Sequence, residues 1–123
     1  GLVPDSGATY FLPRLIGKQK AAALMMTGEP VKSKQAVDMG MIYKCYSDDE
    51  FETESWKLAC KLAKMPTRGL AFTKKLLNSS FSNNLEHQLN LEKKYQIMAA
   101  ETEDFNEGVN AFLEKRKPNF KGK

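Results

Sequence analysis

Histidine is almost missing from this chain: His87 is the one imidazole in 123 residues. No metal site built from several histidines can therefore be assembled from it, and His87 itself reads as a surface residue at a polar helix start. Cysteine is scarce too, and Cys45 and Cys60 lack the close pairing of zinc sites, so they read as two reduced thiols of a cytoplasmic protein. No apolar run approaches the roughly 20 residues of a bilayer-spanning helix, so no membrane partner is expected. The eight glycines are dispersed over turns and helix ends. They form neither a phosphate-cradling loop nor a dinucleotide fingerprint. Internal repeats and aromatic-basic RNA signatures are also lacking.

What remains has the composition of an ordinary globular domain, with 41% hydrophobic and 28% charged residues. At 13.9 kDa the chain has room for one small core. The net charge of +4 comes from nineteen basic residues spread along the sequence, with one cluster at Lys115, Arg116, Lys117, Lys121 and Lys123. Dispersed charge of this kind does not mark a nucleic-acid surface. On composition alone, the cluster is a solvated terminus that frays.

Local signals predict a mainly α protein. Pro4 and Gly7 place residues 1–8 in a turn, and Thr9 can cap a helix through Leu12-Pro-Arg-Leu-Ile16 that Gly17 ends. Residues 19–26 favour a helix stopped by Thr27-Gly-Glu-Pro30. Ser33 opens a short helix that Gly40 closes, and Met41-Ile-Tyr-Lys-Cys45 is the single strand candidate. From Ser47 onward everything reads helical. Ser47 with Asp48, Asp49 and Glu50 caps one helix, Thr67 opens another, Asn83 with Glu86 resembles a cap for a third, and Thr102 caps the last. The last helix carries Phe105, Val109 and Phe112 on one face. These helices hold more apolar surface than one small core can hide, which points to a subunit interface.

Gly1-Leu-Val-Pro-Asp-Ser-Gly-Ala-Thr9 and Leu12-Pro-Arg-Leu-Ile-Gly17, followed in order by Leu24-Met-Met-Thr-Gly28, Ala36-Val-Asp-Met-Gly-Met-Ile42, Asp104-Phe-Asn-Glu-Gly108 and Ala111-Phe-Leu-Glu-Lys-Arg-Lys-Pro-Asn-Phe120, resemble the crotonase superfamily of enoyl-CoA hydratases and isomerases. Within it they look most like phenylacetate-pathway ring-epoxide isomerases and 3,2-enoyl-CoA isomerases, enzymes of phenylacetate catabolism and fatty acid metabolism. The resemblance implies the carboxy-terminal helical part of an α/β spiral fold with one short strand. Residues 1–46 would end the crotonase core, and 47–123 would form a helical oligomerisation and lid region. The amino-terminal half, with the oxyanion hole and most of the CoA site, would be a missing partner. A fragment of this kind is expected not to turn over alone.

The same resemblance supplies roles. An acid at the position of Asp5 faces the acyl chain and acts as base, acid or nucleophile in isomerising and dehalogenating members. Phe112 and Lys115, three apart on a helix, would cover the ligand and meet a CoA phosphate in a trimer or hexamer. Coenzyme A would be part of the substrate, with no metal or redox cofactor. Read without the family, Asp5 is a turn aspartate bonding its own backbone, Phe112 belongs to a core stripe and Lys115 is a surface lysine. Moving a double bond needs one proton removed and one returned, which a single carboxylate can do, whereas water addition more naturally uses two groups. A lone placed Asp thus favours an isomerase over a hydratase. The reading from a different class is a non-catalytic oligomerisation module.

Overall fold

The computed structural model describes all residues from Gly1 to Lys123, in seven helices that form two compact units, 1–52 and 53–123. No helix is long and apolar enough to cross a membrane.

In the first unit, α1 (Ala8–Ile16) and α2 (Lys18–Thr27) pack together, separated only by Gly17. Gly17 adopts φ 82 and ψ 152, a region that side-chain-bearing residues avoid. From there its N–H closes α1 on the Pro13 carbonyl at 3.0 Å while its own carbonyl accepts the Ala21 N–H at 3.1 Å. The start of α1 differs from expectation: the cap is left-handed Gly7, without a side-chain bond, and Thr9 lies inside the helix. Pro13 consequently sits in the helix interior, where it can give no N–H to the Thr9 carbonyl. α3 (Ser33–Asp38) starts one residue before the expected cap position had placed it, with the Gln35 side chain accepting the Lys32 N–H at 3.2 Å. Ile16, Ala21 and Ala36 are the buried apolar residues of the first unit.

The expected strand at Met41–Cys45 does not form; the segment is bent and irregular. The N–H groups of Met41 and Ile42 are drawn back to the Ala36 carbonyl, at 2.8 and 3.3 Å, to close α3 around left-handed Gly40. A strand also needs a partner, and this chain contains no other strand to pair with it.

The division between the units falls within α4 (Asp48–Ala63), which begins on the Ser47 carbonyl and has no buried residue. In the second unit α5 (Thr67–Ser80) and α6 (Leu85–Ala100) form a hairpin. Phe72 stacks on Tyr95 with ring centroids 5.2 Å apart, and Gln88 Nε2 donates to the Leu76 carbonyl, so the two helices run antiparallel. The α6 cap is Asn84, whose side chain accepts the His87 N–H at 2.8 Å, while Asn83 is turned to Gln88 instead.

α7 (Glu103–Leu113) opens at Thr102 as its sequence predicts. The buried hydroxyl accepts the Phe105 N–H at 3.1 Å and donates to the Ala99 carbonyl at 2.7 Å, fastening the end of α6 to the start of α7. Removing that hydroxyl leaves an orphan donor and an orphan acceptor away from water. Thr102→Ala should therefore cost about 1–2 kcal/mol in chemical denaturation, with Thr102→Ser restoring most of it.

Candidate active site

Asp5 occupies a turn closed entirely by the main chain. Its carbonyl accepts the Ala8 N–H at 2.9 Å, and the Gly7 carbonyl accepts the N–H groups of Tyr10 and Phe11 at 2.9 Å. Ser6 (φ 53) and Gly7 (φ 83) are both left-handed, and a Cβ on Gly7 would lie 2.9 Å from the Phe11 ring. Left-handed geometry costs a residue such as Ser6 about 1–2 kcal/mol. The Asp5 carboxylate is exposed and accepts a hydrogen bond from Ser6 Oγ at 3.2 Å, but none from a backbone N–H. The ordinary arrangement, an aspartate spending its carboxylate on its own turn, is not the one adopted. Arg14, on the following helix, donates to the Tyr10 carbonyl at 2.8 Å and lies 3.6 Å above the Tyr10 ring.

Asp5 belongs to the first unit, and Phe112 and Lys115 to the second, where the end of α7 brings the latter two close together. They do not share a helix face, because α7 stops at Leu113 and Lys115 lies beyond it. Lys115 is left-handed (φ 53); its N–H reaches the Phe112 carbonyl at 3.3 Å and the Arg116 N–H the Ala111 carbonyl at 3.0 Å. This pair of bonds is the Schellman closure, whose left-handed position glycine usually fills. Phe112 is 83% exposed and is no core residue. With Phe105, Val109, Leu113, Pro66 and Phe120 it lines an open apolar groove of about 430 Å³.

The basic tail does not fray. Asp104, 3% exposed, accepts the N–H groups of Lys121 and Gly122 at 2.6 and 2.8 Å, and its own N–H donates to the Lys123 carbonyl at 3.0 Å. One turn further on, Glu107 takes both terminal nitrogens of Arg116, at 2.6 and 2.9 Å, and the Asn119 N–H at 2.7 Å. Arg116 also bonds Glu114 through Nε. These contacts hold residues 116–123 along α7, with the Phe120 ring against Gly108 and Gly122 against Thr67. Asp104, Glu107 and Arg116 fasten the tail beside Phe112 and Lys115, a contact that sequence reasoning overlooked. Two acids three apart on one helix, followed by an arginine past its end, were the available signal.

No group of three or more His, Cys, Asp or Glu side chains converges to hold a metal ion, and Cys45 and Cys60 are free thiols.

Over residues 1–123 the sequence matches the family described as enoyl-CoA hydratase/isomerase. The chain belongs to the enoyl-CoA hydratase/isomerase family. It is 42% identical over 123 residues to the 1,2-epoxyphenylacetyl-CoA isomerase of Escherichia coli and 39% identical to a probable enoyl-CoA hydratase of Rhodobacter capsulatus, covering 47% and 48% of their lengths. The crystal structure of an enoyl-CoA hydratase from Bacillus anthracis superposes on the whole chain with a TM-score of 0.92 at 29% identity, the chain covering 48% of it. The chain thus spans about half the length of the relatives it matches. In fold it is the helical carboxy-terminal part of these crotonase enzymes.

The fastening of the tail in this family member has a pH signature. Arg116, and next the Asn119 N–H, pull the Glu107 carboxyl down from 4.5 to about 2. A depressed carboxyl contributes stability that is fully present above the unfolded value and lost as pH falls through the folded one. Relative to its intrinsic rate, hydrogen exchange at the Asn119 amide should therefore be protected above about pH 4.5 and lose that protection progressively toward pH 2. In Glu107→Gln that pH dependence should vanish.

Proposed function

We propose that these residues are the carboxy-terminal part of an acyl-CoA isomerase in which Asp5 transfers the proton. The observation that carries this reading is the Asp5 turn: main-chain bonds close it, and the carboxylate is left exposed without a backbone donor. An acid so presented can take a proton beside a thioester carbonyl and return it at another carbon of the same chain. The enolate between the two transfers needs an oxyanion hole. By the family resemblance, that hole would come from the amino-terminal half, so residues 1–123 alone should show no turnover. Absence of even one oxyanion donor costs about 10²–10³ in rate.

Phe112 and Lys115 extend the reading to binding. The exposed phenylalanine would cover the ligand from the groove it lines, and Lys115, which has no ion-pair partner, would meet a CoA phosphate. Assembly as a trimer or hexamer would cover the apolar faces left open. Coenzyme A would enter as part of the substrate and leave still joined to the product, in the cytoplasm, without a metal or redox cofactor. A second reading, an enoyl-CoA hydratase, is favoured by the hydratase names among the relatives.

The test is isomerisation of a 3-enoyl-CoA by the complete enzyme, followed as conjugated 2-enoyl-CoA by absorbance. Asp5→Asn should lower kcat by about 10²–10⁴. Activity within a fewfold of the parent would rule Asp5 out as the proton carrier, and water addition undiminished by the substitution would make the protein a hydratase.

A further inference from the structure

Two helices of this chain end in the same bond pattern. At the end of α3 the Met41 N–H bonds Ala36 and the Gly40 N–H bonds Val37, around Gly40 at φ 81; at the end of α7 the Arg116 N–H bonds Ala111 and the Lys115 N–H bonds Phe112, around Lys115 at φ 53. The first places glycine where the backbone requires it. The second places a lysine there, against the conformational preference of its own Cβ. Such a residue persists only where its surroundings over-determine it.

The surroundings here are specific. Arg116, the next residue, is gripped by both carboxylate oxygens of Glu107 and by Glu114, so its guanidinium is committed within the molecule. Asn119, three residues on, is held by the same Glu107 through its N–H. Lys115 has no carboxylate partner and is exposed, so its charge is free to meet an anion.

We propose that Glu107 and Arg116 are a positioning pair, fixing the left-handed turn of Lys115 so that its ammonium group is aimed at a phosphate of the CoA moiety. This rests on the reading of Lys115 given above. The planar fork of Arg116 matters because it locks two bonds in one plane on Glu107, which a lysine in its place cannot do. Glu107 touches no substrate in this scheme; it acts on Lys115 through the Arg116 guanidinium and the Asn119 N–H, both on the carboxy-terminal side of the lysine.

The test compares kcat/KM of the complete enzyme for a 3-enoyl-CoA and for the same acyl group on N-acetylcysteamine, which has no phosphate. Lys115→Met should lower kcat/KM for the CoA thioester about tenfold and leave the short thioester unchanged. Glu107→Gln and Arg116→Lys should each lower it about three- to tenfold through KM, again only for the CoA thioester, and add nothing in a Lys115→Met background. Lys115→Gly should raise the melting temperature while losing the same affinity as Lys115→Met. Equal losses on both thioesters, or losses that multiply with that of Lys115→Met, would reduce the pair to a structural fastening and overturn the proposal. If Lys115→Met alone leaves the CoA thioester unaffected, the reading of the lysine falls and the positioning role with it. If Lys115→Met has its effect and neither partner substitution does, the positioning role alone is overturned.

Discussion

The groove and tail of the second unit depend on one buried carboxyl, that of Asp104. A carboxylate 3% exposed is tolerated only when its oxygens are hydrogen-bonded, and the donors that Asp104 finds are backbone N–H groups at the far end of the chain. Meeting that requirement forces the chain to reverse after α7. The reversal in turn sets Phe120 against Gly108, seats Gly122 beside Thr67 and brings Arg116 to Glu107. The walls of the apolar groove, drawn from α5, α6, α7 and the tail, are therefore a consequence of where Asp104 sends its hydrogen bonds.

This dependence explains what could and could not be read in advance. Elements whose signals are local were legible: Thr102 caps α7, Gly28 ends α2 and Gly40 ends α3. Adjacent asparagines were not separable, so the cap of α6 moved from Asn83 to Asn84, and the cap of α1 moved from Thr9 to left-handed Gly7, which closes its turn without a side chain. The apolar β-prone run at 41–45 lost its strand because closing α3 consumed two of its N–H groups, a competition no propensity registers. The tail was invisible for a different reason. Its bonds to Asp104 span 17 and 18 residues, and no periodicity reports such contacts. For the proposed site, the resemblance supplied Asp5, Phe112 and Lys115, while the pairing of Glu107 with Arg116 shows only in the geometry.

The helices leave much of their apolar surface uncovered. Phe51 and Trp56 on α4, Leu85, Leu89 and Ile97 on α6, and Phe112 and Leu113 on α7 are all exposed, while the buried apolar residues are five, three of them alanines. A domain that hid so little would be marginal by itself, since small domains are limited by the area they can remove from water. Faces of this extent require a cover. That need agrees with a chain spanning about half the length of its relatives.

Backbone strain falls at two positions of the proposed site. Only two residues other than glycine hold a positive φ, Ser6 and Lys115. One adjoins Asp5 and the other is the lysine itself, although neither position was chosen for its backbone. At Ser6 the left-handed turn lets the Asp5 carbonyl meet Ala8, which releases the carboxylate from turn-closing duty. At Lys115 it stops α7 one residue after Phe112, at Leu113, and turns the chain toward Glu107. Glycine would satisfy either backbone at lower conformational cost, so stability alone does not account for a side chain there. At Lys115 the retained side chain carries the charge that the binding reading requires. At Ser6 it supplies the one hydrogen bond that the Asp5 carboxylate receives, and a hydroxyl donor in that place steadies the orientation of the acid without committing it to the backbone.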